Sequence, residues 1–263
     1  MTRLVVTNDD GIDSPALVPL AHAMRRFGRV VVAAPNRERS WIGKAISRVD
    51  EVAADRVDRD GIEMWAVDGF PADCVHVAAF GLLDRPPDLV ISGINIGANK
   101  GSAFATGSGT LGAAIEASNI GVGGLAFSAM SEGDWLEWVR WVKTESAQEM
   151  WSRLAEIAAD IVSIVLDNGM PQAVDAISVN LPAGADITTP RRVTRLARTR
   201  YGRLFAGKDG VYRHAFDGIL LTEGELDGTD LDVLDAGHIS ITPIRMATDV
   251  SLDHGLQQRL ERG

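Results

Sequence analysis

Short β-branched runs alternate with stretches whose apolar residues recur every three to four positions, and the alternation persists through most of the chain. Residues 4–6 (LVV), 29–34 (RVVVAA), 88–92 (DLVIS) and 124–128 (GLAFS) are apolar without in–out alternation, which predicts strands buried on both faces. Leu17, Leu20, Ala21 and Met24 give one apolar face to a helix after the first run, with Ser14-Pro15 offering an N-cap and a proline at its first position. Pro71 opens a helix to Leu83, and residues 110–118 predict another. Leu154, Ile157, Ala158, Ile161, Val162 and Val165 mark a strongly amphipathic one. Residues 47–67 read as less regular β, clearest at 63–67, and 174–181 as a further strand. Strands alternating with helices at this spacing predict βαβ units, hence an α/β fold with a mostly parallel sheet. Beyond Thr189 the pattern turns hairpin-like (191–201, 210–216, then 237–243), which predicts a C-terminal antiparallel β extension.

Residues 131–151 break the alternation, carrying four of the six tryptophans. Trp135, Trp138, Val139 and Val142 share helical spacing, so an amphipathic insertion docked on the body is expected; a lid or a subunit contact is the sharper alternative. Across all 263 residues, 46% hydrophobic and 24% charged side chains are the proportions of a globular protein. A net charge of −10 argues against a nucleic-acid polymer as partner, while leaving room for a small phosphate ester beside a metal ion. Cys74, the one cysteine, falls in an apolar helical pattern and reads as a buried small hydrophobe. It excludes an intrachain disulfide and suits a reducing compartment. With no signal-peptide pattern and no apolar run near the ~20 residues of a membrane span, the expectation is a cytoplasmic protein without a membrane partner.

Candidate chemistry begins at Asn8-Asp9-Asp10-Gly11, directly behind the first strand. Asp-Gly is a common turn pair, so a mere turn is one reading. The other follows from position, since ligands of open α/β sheets bind outside the carboxyl ends of the strands. Two adjacent carboxylates there repel unless a proton or cation is shared. The second strand leads to Ser40 and the third to Asn95, adding a hydroxyl and an amide oxygen. Such an all-oxygen set suits Mg²⁺, Mn²⁺ or Ca²⁺, whereas Zn²⁺ usually draws on Cys or His, and the five histidines show no ligand spacing. Ser108-Gly109-Thr110 starts a helix and offers backbone N–H groups to an anion, unless it simply caps that helix. The hexamer 107–112 also satisfies G-x-G-x-x-G, but no strand precedes it, so a dinucleotide site is rejected.

Taken in order, NDDG, PNRERS, AVDGFPADCVH, PDLVISGINIGAN, SGTLGAA and GHISITP resemble the segments of the SurE family, from Leu4 to about Pro243. The resemblance implies a metal-dependent phosphatase of nucleoside 5′- or 3′-monophosphates, with a Rossmann-like three-layer α/β/α core at 1–185 and a β extension, strand return and C-terminal helix at 186–263. It implies exchange of that extension in a homodimer or homotetramer. It puts one divalent metal per subunit on Asp9, Asp10, Ser40 and Asn95. On chemical grounds either Asp9 or Asp10 could act as general base while the other stays on the metal; Asp9 is favoured, and Asp10 and Asn95 complete the expected catalytic set. Phosphate contacts are implied at Asn95, Ser108, Gly109 and Thr110, and Asn8, Ser40 and Asn99 are expected to add further substrate contacts.

Three features depart from the family pattern. Trp41 and Lys44 stand where small residues and a histidine usually follow the serine, so Lys44 is either a substitute phosphate contact or a solvated lysine. Residues 102–107 (SAFATG) replace an acidic pair and a tyrosine with one extra residue, and the Trp-rich segment has no counterpart. These changes leave two alternatives open, a phosphatase for a sugar or natural-product phosphate and a metal-nucleotide binding protein with little catalysis.

Overall fold

Leu4, Val5 and Val6 are fully buried near the centre of a nine-stranded sheet, as their uninterrupted apolar character predicts. The computed structural model describes residues 1–216, 218, 220–246 and 249–261. Strand β1 (Thr2–Thr7) pairs in parallel with β2 (Gly28–Pro35) on one side and β5 (Leu89–Ile96) on the other. Beyond β2 lie β4 (Ile62–Val67), parallel, and β3 (Ala54–Arg59), an antiparallel edge. Beyond β5 run β6 (Gly123–Met130) and β7 (Ala176–Pro182), both parallel. The chain thus builds outward from β1 first one way and then the other, so the crevice between β1 and β5 is the topological switch point.

Val5 points to the opposite face from Leu4 and Val6, and each face has its own helices. Helices α1 (Leu17–Met24) and α6 (Gln148–Asn168) pack Leu17, Leu20, Leu154 and Ile157 onto the side of Leu4 and Val6. Helices α2 (Pro71–Val77) and α4 (Gly109–Asn119) pack Cys74, Val75, Ala113 and Ala117 onto the side of Val5, Val31 and Val90. This is the expected Rossmann-like three-layer architecture. Cys74 is fully buried, and burial pushes its thiol well above the ordinary value, as befits an inert core residue.

Several local expectations need correction. Helix α1 starts at Leu17 behind Ala16, not at Ser14-Pro15, because Ser14 closes a turn in which its N–H donates to Gly11 O (3.0 Å) and its carbonyl accepts from Leu17 N (3.2 Å). The Pro71 helix is regular only to Val77 and widens into a π turn over Ala78–Leu82. Residues 54–67 form a two-stranded hairpin turning at Asp60-Gly61, both with positive φ (51° and 67°), as a two-residue Asp-Gly loop requires. The segment before Ser108 is not a strand, but it contains the unforeseen helix α3 (Gly101–Gly107).

The Trp-rich segment docks on the body. Asp134 caps α5 (Trp135–Trp141) by accepting from the N–H groups of Leu136 and Glu137 (2.9 and 3.0 Å). Trp138 and Trp151 are buried, and Trp151 Nε1 donates to Val142 O (2.9 Å). After β7 the chain adds β8 (Arg191–Val193), then β9 (Arg198–Tyr201), β10 (Phe205–Lys208), β11 (Val211–His214) and β12 (Leu220–Glu223). Strands β9 and β12, and β10 and β11, pair antiparallel as the hairpin pattern predicts. Helix α7 (Asp230–Asp235) then leads to β13 (Ile239–Ile244), which returns to the main sheet antiparallel to β7. β8 joins that edge parallel to β13 and so is no hairpin strand. Buried Asp230 accepts from Gly101 N (2.7 Å) and Ala197 N (2.8 Å), tying this region to α3. Helix α8 (His254–Glu261) leaves Leu256 and Leu260 exposed. Among the described residues, no helix is long and apolar enough to cross a membrane.

Candidate active site

The loop after β1 is shaped by Asn8, whose buried amide donates to Gly11 O (3.0 Å) and accepts from Gly11 N (3.1 Å). Gly11 has φ +94°, and a Cβ there would lie 2.9 Å from the Arg37 carbonyl carbon, so only glycine lets the second loop approach. That approach is sealed by Arg39 N–H donating to Asp9 O (2.7 Å). Ser40 follows, its Oγ donating to Glu38 Oε1 (2.7 Å). From the third strand end, Ile96 N–H donates to Asp10 Oδ2 (3.0 Å), which brings Asp10 beside Asn95. A register shift between Ser92 and Asn95 precedes this point, and Asn95 Nδ2 donates to Gly97 O (2.5 Å).

Asp9 is almost fully buried at the start of α4. Its Oδ1 accepts from Thr110 Oγ1 (2.5 Å), a hydroxyl with no solvent exposure. A Cβ on Gly109 would sit 2.8 Å from Asp9 Cβ and 2.9 Å from Asp9 Oδ2, so this contact demands glycine. Burial raises the Asp9 pKa, opposed by the Thr110 hydroxyl and the N–H groups of Thr110 and Gly109. Asp10 is pushed up further, by burial first and then by Asp9 and Glu38, with Ile96 N–H and Lys143 opposing. The bare pair is therefore poor at holding two negative charges, which is the electrostatic condition a cation relieves.

The four strand-end residues Asp9, Asp10, Ser40 and Asn95 thus belong to adjoining segments around one crevice, with Gly109 and Thr110 against Asp9. The anion at the α4 N-terminus is Asp9 itself, and Ser108 caps that helix by accepting from Leu111 N (3.0 Å). Other predicted contacts point elsewhere. Lys44 Nζ donates to Glu116 Oε2 (2.6 Å), two turns along α4 and roughly 10 Å from its start. Asn99 is buried, its Nδ2 donating to Ser128 Oγ (2.8 Å) and its N–H to Asn180 Oδ1 (2.8 Å). Asn8 is spent on its own loop.

Three contributors escaped the sequence reading. Glu38 and Lys143 act electrostatically on Asp10. The Trp135 ring comes from the insertion to lie against Gly97, 3.1 Å from where a Cβ would be. Only the missing family counterpart of residues 131–151 hinted at such a reach. Trp41, next to Ser40, has φ +60°, a conformation costing a non-glycine residue about 1–2 kcal/mol.

A mostly parallel sheet between two helix layers, with paired carboxylates at its switch point, makes this a Rossmann-like α/β protein with an acidic crevice at its strand ends. The chain belongs to the SurE family, whose model, "Survival protein SurE", matches residues 4–203. It is similar to proteins named 5'-nucleotidase SurE from Methanocella arvoryzae (36% identical, covering 93% of this chain and 92% of the relative) and Syntrophotalea carbinolica (38%, covering 92% and 91%). The solved SurE protein from Aquifex aeolicus superposes with a TM-score of 0.73 at 29% identity, covering 99% of this chain and 98% of that one.

Proposed function

We propose that the chain hydrolyses nucleoside 5′- or 3′-monophosphates with a divalent metal held by Asp9, Asp10, Ser40 and Asn95. The observation that carries this reading is the acidic pair itself, Asp9 buried and Asp10 half-buried side by side at the switch point, where burial raises the pKa of both. The donor set fits the group: two carboxylates, a hydroxyl and an amide whose nitrogen is already committed to Gly97 are hard oxygen ligands for Mg²⁺, Mn²⁺ or Ca²⁺. Such an ion, one per subunit, would supply Lewis acidity toward the phosphoryl oxygens and an attacking water. Asp9, fixed by Thr110, takes the water proton as general base. Water attacks phosphorus in line with the ester oxygen; the new P–O bond forms as the ester P–O bond breaks, and the departing alkoxide takes a proton from solvent.

The nucleotide substrate is supported by the name shared by the similar proteins. Exposed Leu256 and Leu260 on α8 support a homodimer or homotetramer, and the buried, unpaired Cys74 supports a cytoplasmic setting. Phosphate release is measured over nucleoside monophosphates and sugar phosphates with Mg²⁺ or Mn²⁺, then with chelator. The expected result is metal-dependent release from nucleotides that Asp9→Asn removes while the far-UV spectrum is kept. Full activity in Asp9→Asn, or no release from any nucleotide, overturns the reading.

A further inference from the structure

Five aromatic rings from four separate segments converge next to Ser40. Trp41 lies 5.4 Å from Phe104, 5.5 Å from Tyr201, 4.9 Å from His214 and 5.9 Å from Phe216, measured between ring centroids. Phe104 and Phe216 meet edge-on at 5.5 Å. Phe104 comes from α3, Tyr201 from β9, and His214 and Phe216 from the end of the β10–β11 hairpin. The cluster is not sealed, because Trp41 remains 39% exposed and His214 is exposed as well.

We infer that Trp41 and the rings around it form a stacking platform for the purine base of a nucleoside monophosphate whose phosphate is held at the Asp9–Asp10 end. This rests on the nucleotide reading above and specifies which part of the substrate the chain grips. Position supports it first. Trp41 directly follows Ser40, and its Cε3 lies 3.6 Å from where a Cβ on Gly107 would be. Gly43 N–H donates to Gly107 O (2.9 Å), so the Trp41 loop is fastened to the residue just before Ser108-Gly109. Gly107 is thus in contact with Trp41, and Gly109, two residues on, with Asp9, so the platform and the acidic pair sit on adjoining segments.

Backbone strain supports it second. Trp41 holds φ +60°, where glycine would be at ease, so the ring is kept at a conformational cost. Strain of this kind collects at ligand-binding positions. Chemistry supports it third. Trp41, 39% exposed and held by the rings packed around it, can take a flat, neutral ring by stacking, and a purine offers a larger face than a pyrimidine. Tyr201 and His214 add a hydroxyl and ring nitrogens to that wall.

The test compares the full-length wild type with Trp41→Gly, which relaxes the strained backbone, and with Trp41→Phe, which keeps a ring. Steady-state kinetics are run on adenosine and guanosine monophosphates and on ribose 5-phosphate, which lacks a base. Trp41→Gly is expected to raise KM for the nucleotides about tenfold or more with kcat nearly unchanged, the scale of one lost stacking contact. Its kcat/KM on ribose 5-phosphate stays within about twofold of wild type, and Trp41→Phe keeps most of the nucleotide affinity. An unchanged nucleotide KM, or an equal loss on ribose 5-phosphate, overturns the platform. So does a fall in native mass by light scattering with KM intact, which would make the cluster a subunit contact. A wild type that hydrolyses ribose 5-phosphate but no nucleotide sinks the nucleotide reading itself, whereas active nucleotide hydrolysis indifferent to Trp41 sinks only the platform.

Discussion

Thr110 Oγ1 donates to Asp9 Oδ1 across 2.5 Å, joining the first turn of α4 to the loop that ends β1. The hydroxyl and the helix N-terminus both favour the ionised form of a carboxylate that burial otherwise protonates. Thr110→Val keeps the shape and removes the donor. Charge-assisted hydrogen bonds contribute about 1.5–3 kcal/mol, so kcat is expected to fall roughly 10- to 100-fold. The acid limb of the pH–rate profile should also move to higher pH, because Asp9 then loses its proton less readily. An unmoved limb would mean that Thr110 serves the fold alone.

Asp10 gives a prediction about stability without metal. Its carboxyl is raised above the ordinary 3.8, by burial and then by Asp9 and Glu38. The folded chain therefore binds this proton more readily than the unfolded chain. This group's contribution to stability rises as pH falls through the raised value, and is complete below 3.8. Asp10→Asn removes a carboxylate crowded by Asp9 and Glu38, so in chelator near pH 7.5 its urea midpoint should exceed that of wild type, and added Mg²⁺ should no longer stabilise it. Phosphatase activity should drop by about 10²-fold or more.

Gly109→Ala tests the close approach of α4 to Asp9. The added methyl would meet Asp9 Cβ at 2.8 Å and Ile42 Cγ2 at 3.0 Å. Overpacking of this kind costs about 1–3 kcal/mol, and it displaces Asp9 from Thr110. Denaturant unfolding should show the loss, and activity should fall by more than the unfolded fraction explains.

Glu116 behaves in the opposite sense to Asp10. Burial raises its pKa, but Lys44, His76 and Asn119, at 2.6, 2.7 and 2.8 Å, outweigh burial and hold it low. Its stabilisation is present above the ordinary 4.5 and lost as pH falls through the lowered value. Glu116→Gln should cost roughly 1–3 kcal/mol in urea unfolding at pH 7 and flatten the acid limb of stability. If Lys44 works mainly through Glu116, Lys44→Met lowers stability while leaving the KM for ribose 5-phosphate near wild type.

Local pattern carried the layers of this protein and the placing of its acidic pair at a strand end. Val5 and Val31 read as buried strand, and Leu154 to Val162 as an amphipathic helix, because side-chain periodicity is set by the backbone of a few consecutive residues. Asp9-Asp10 read as a charged pair at a strand end for the same reason. Helix α3 stayed hidden because its small and aromatic residues carry no clear period, and the start of α1 was misread because Ser14 serves a turn as readily as a cap.

Which side chain meets which was beyond local pattern. Thr110 lies 101 residues from Asp9, and Lys44 lies 72 from Glu116. Those meetings depend on strand order: β1 beside β5, with α4 crossing from β5 to β6 so that its first turn ends over the β1 loop. The same crossing turned a lysine expected near phosphate toward the middle of α4. It also gave the helix start an internal anion, Asp9. Likewise, the tertiary fold alone gathered Trp41, Phe104, Tyr201, His214 and Phe216 into one wall. Periodicity records which face a residue occupies, but a partner a hundred residues away is chosen by how the sheet is wound and what then lies within a hydrogen bond's reach.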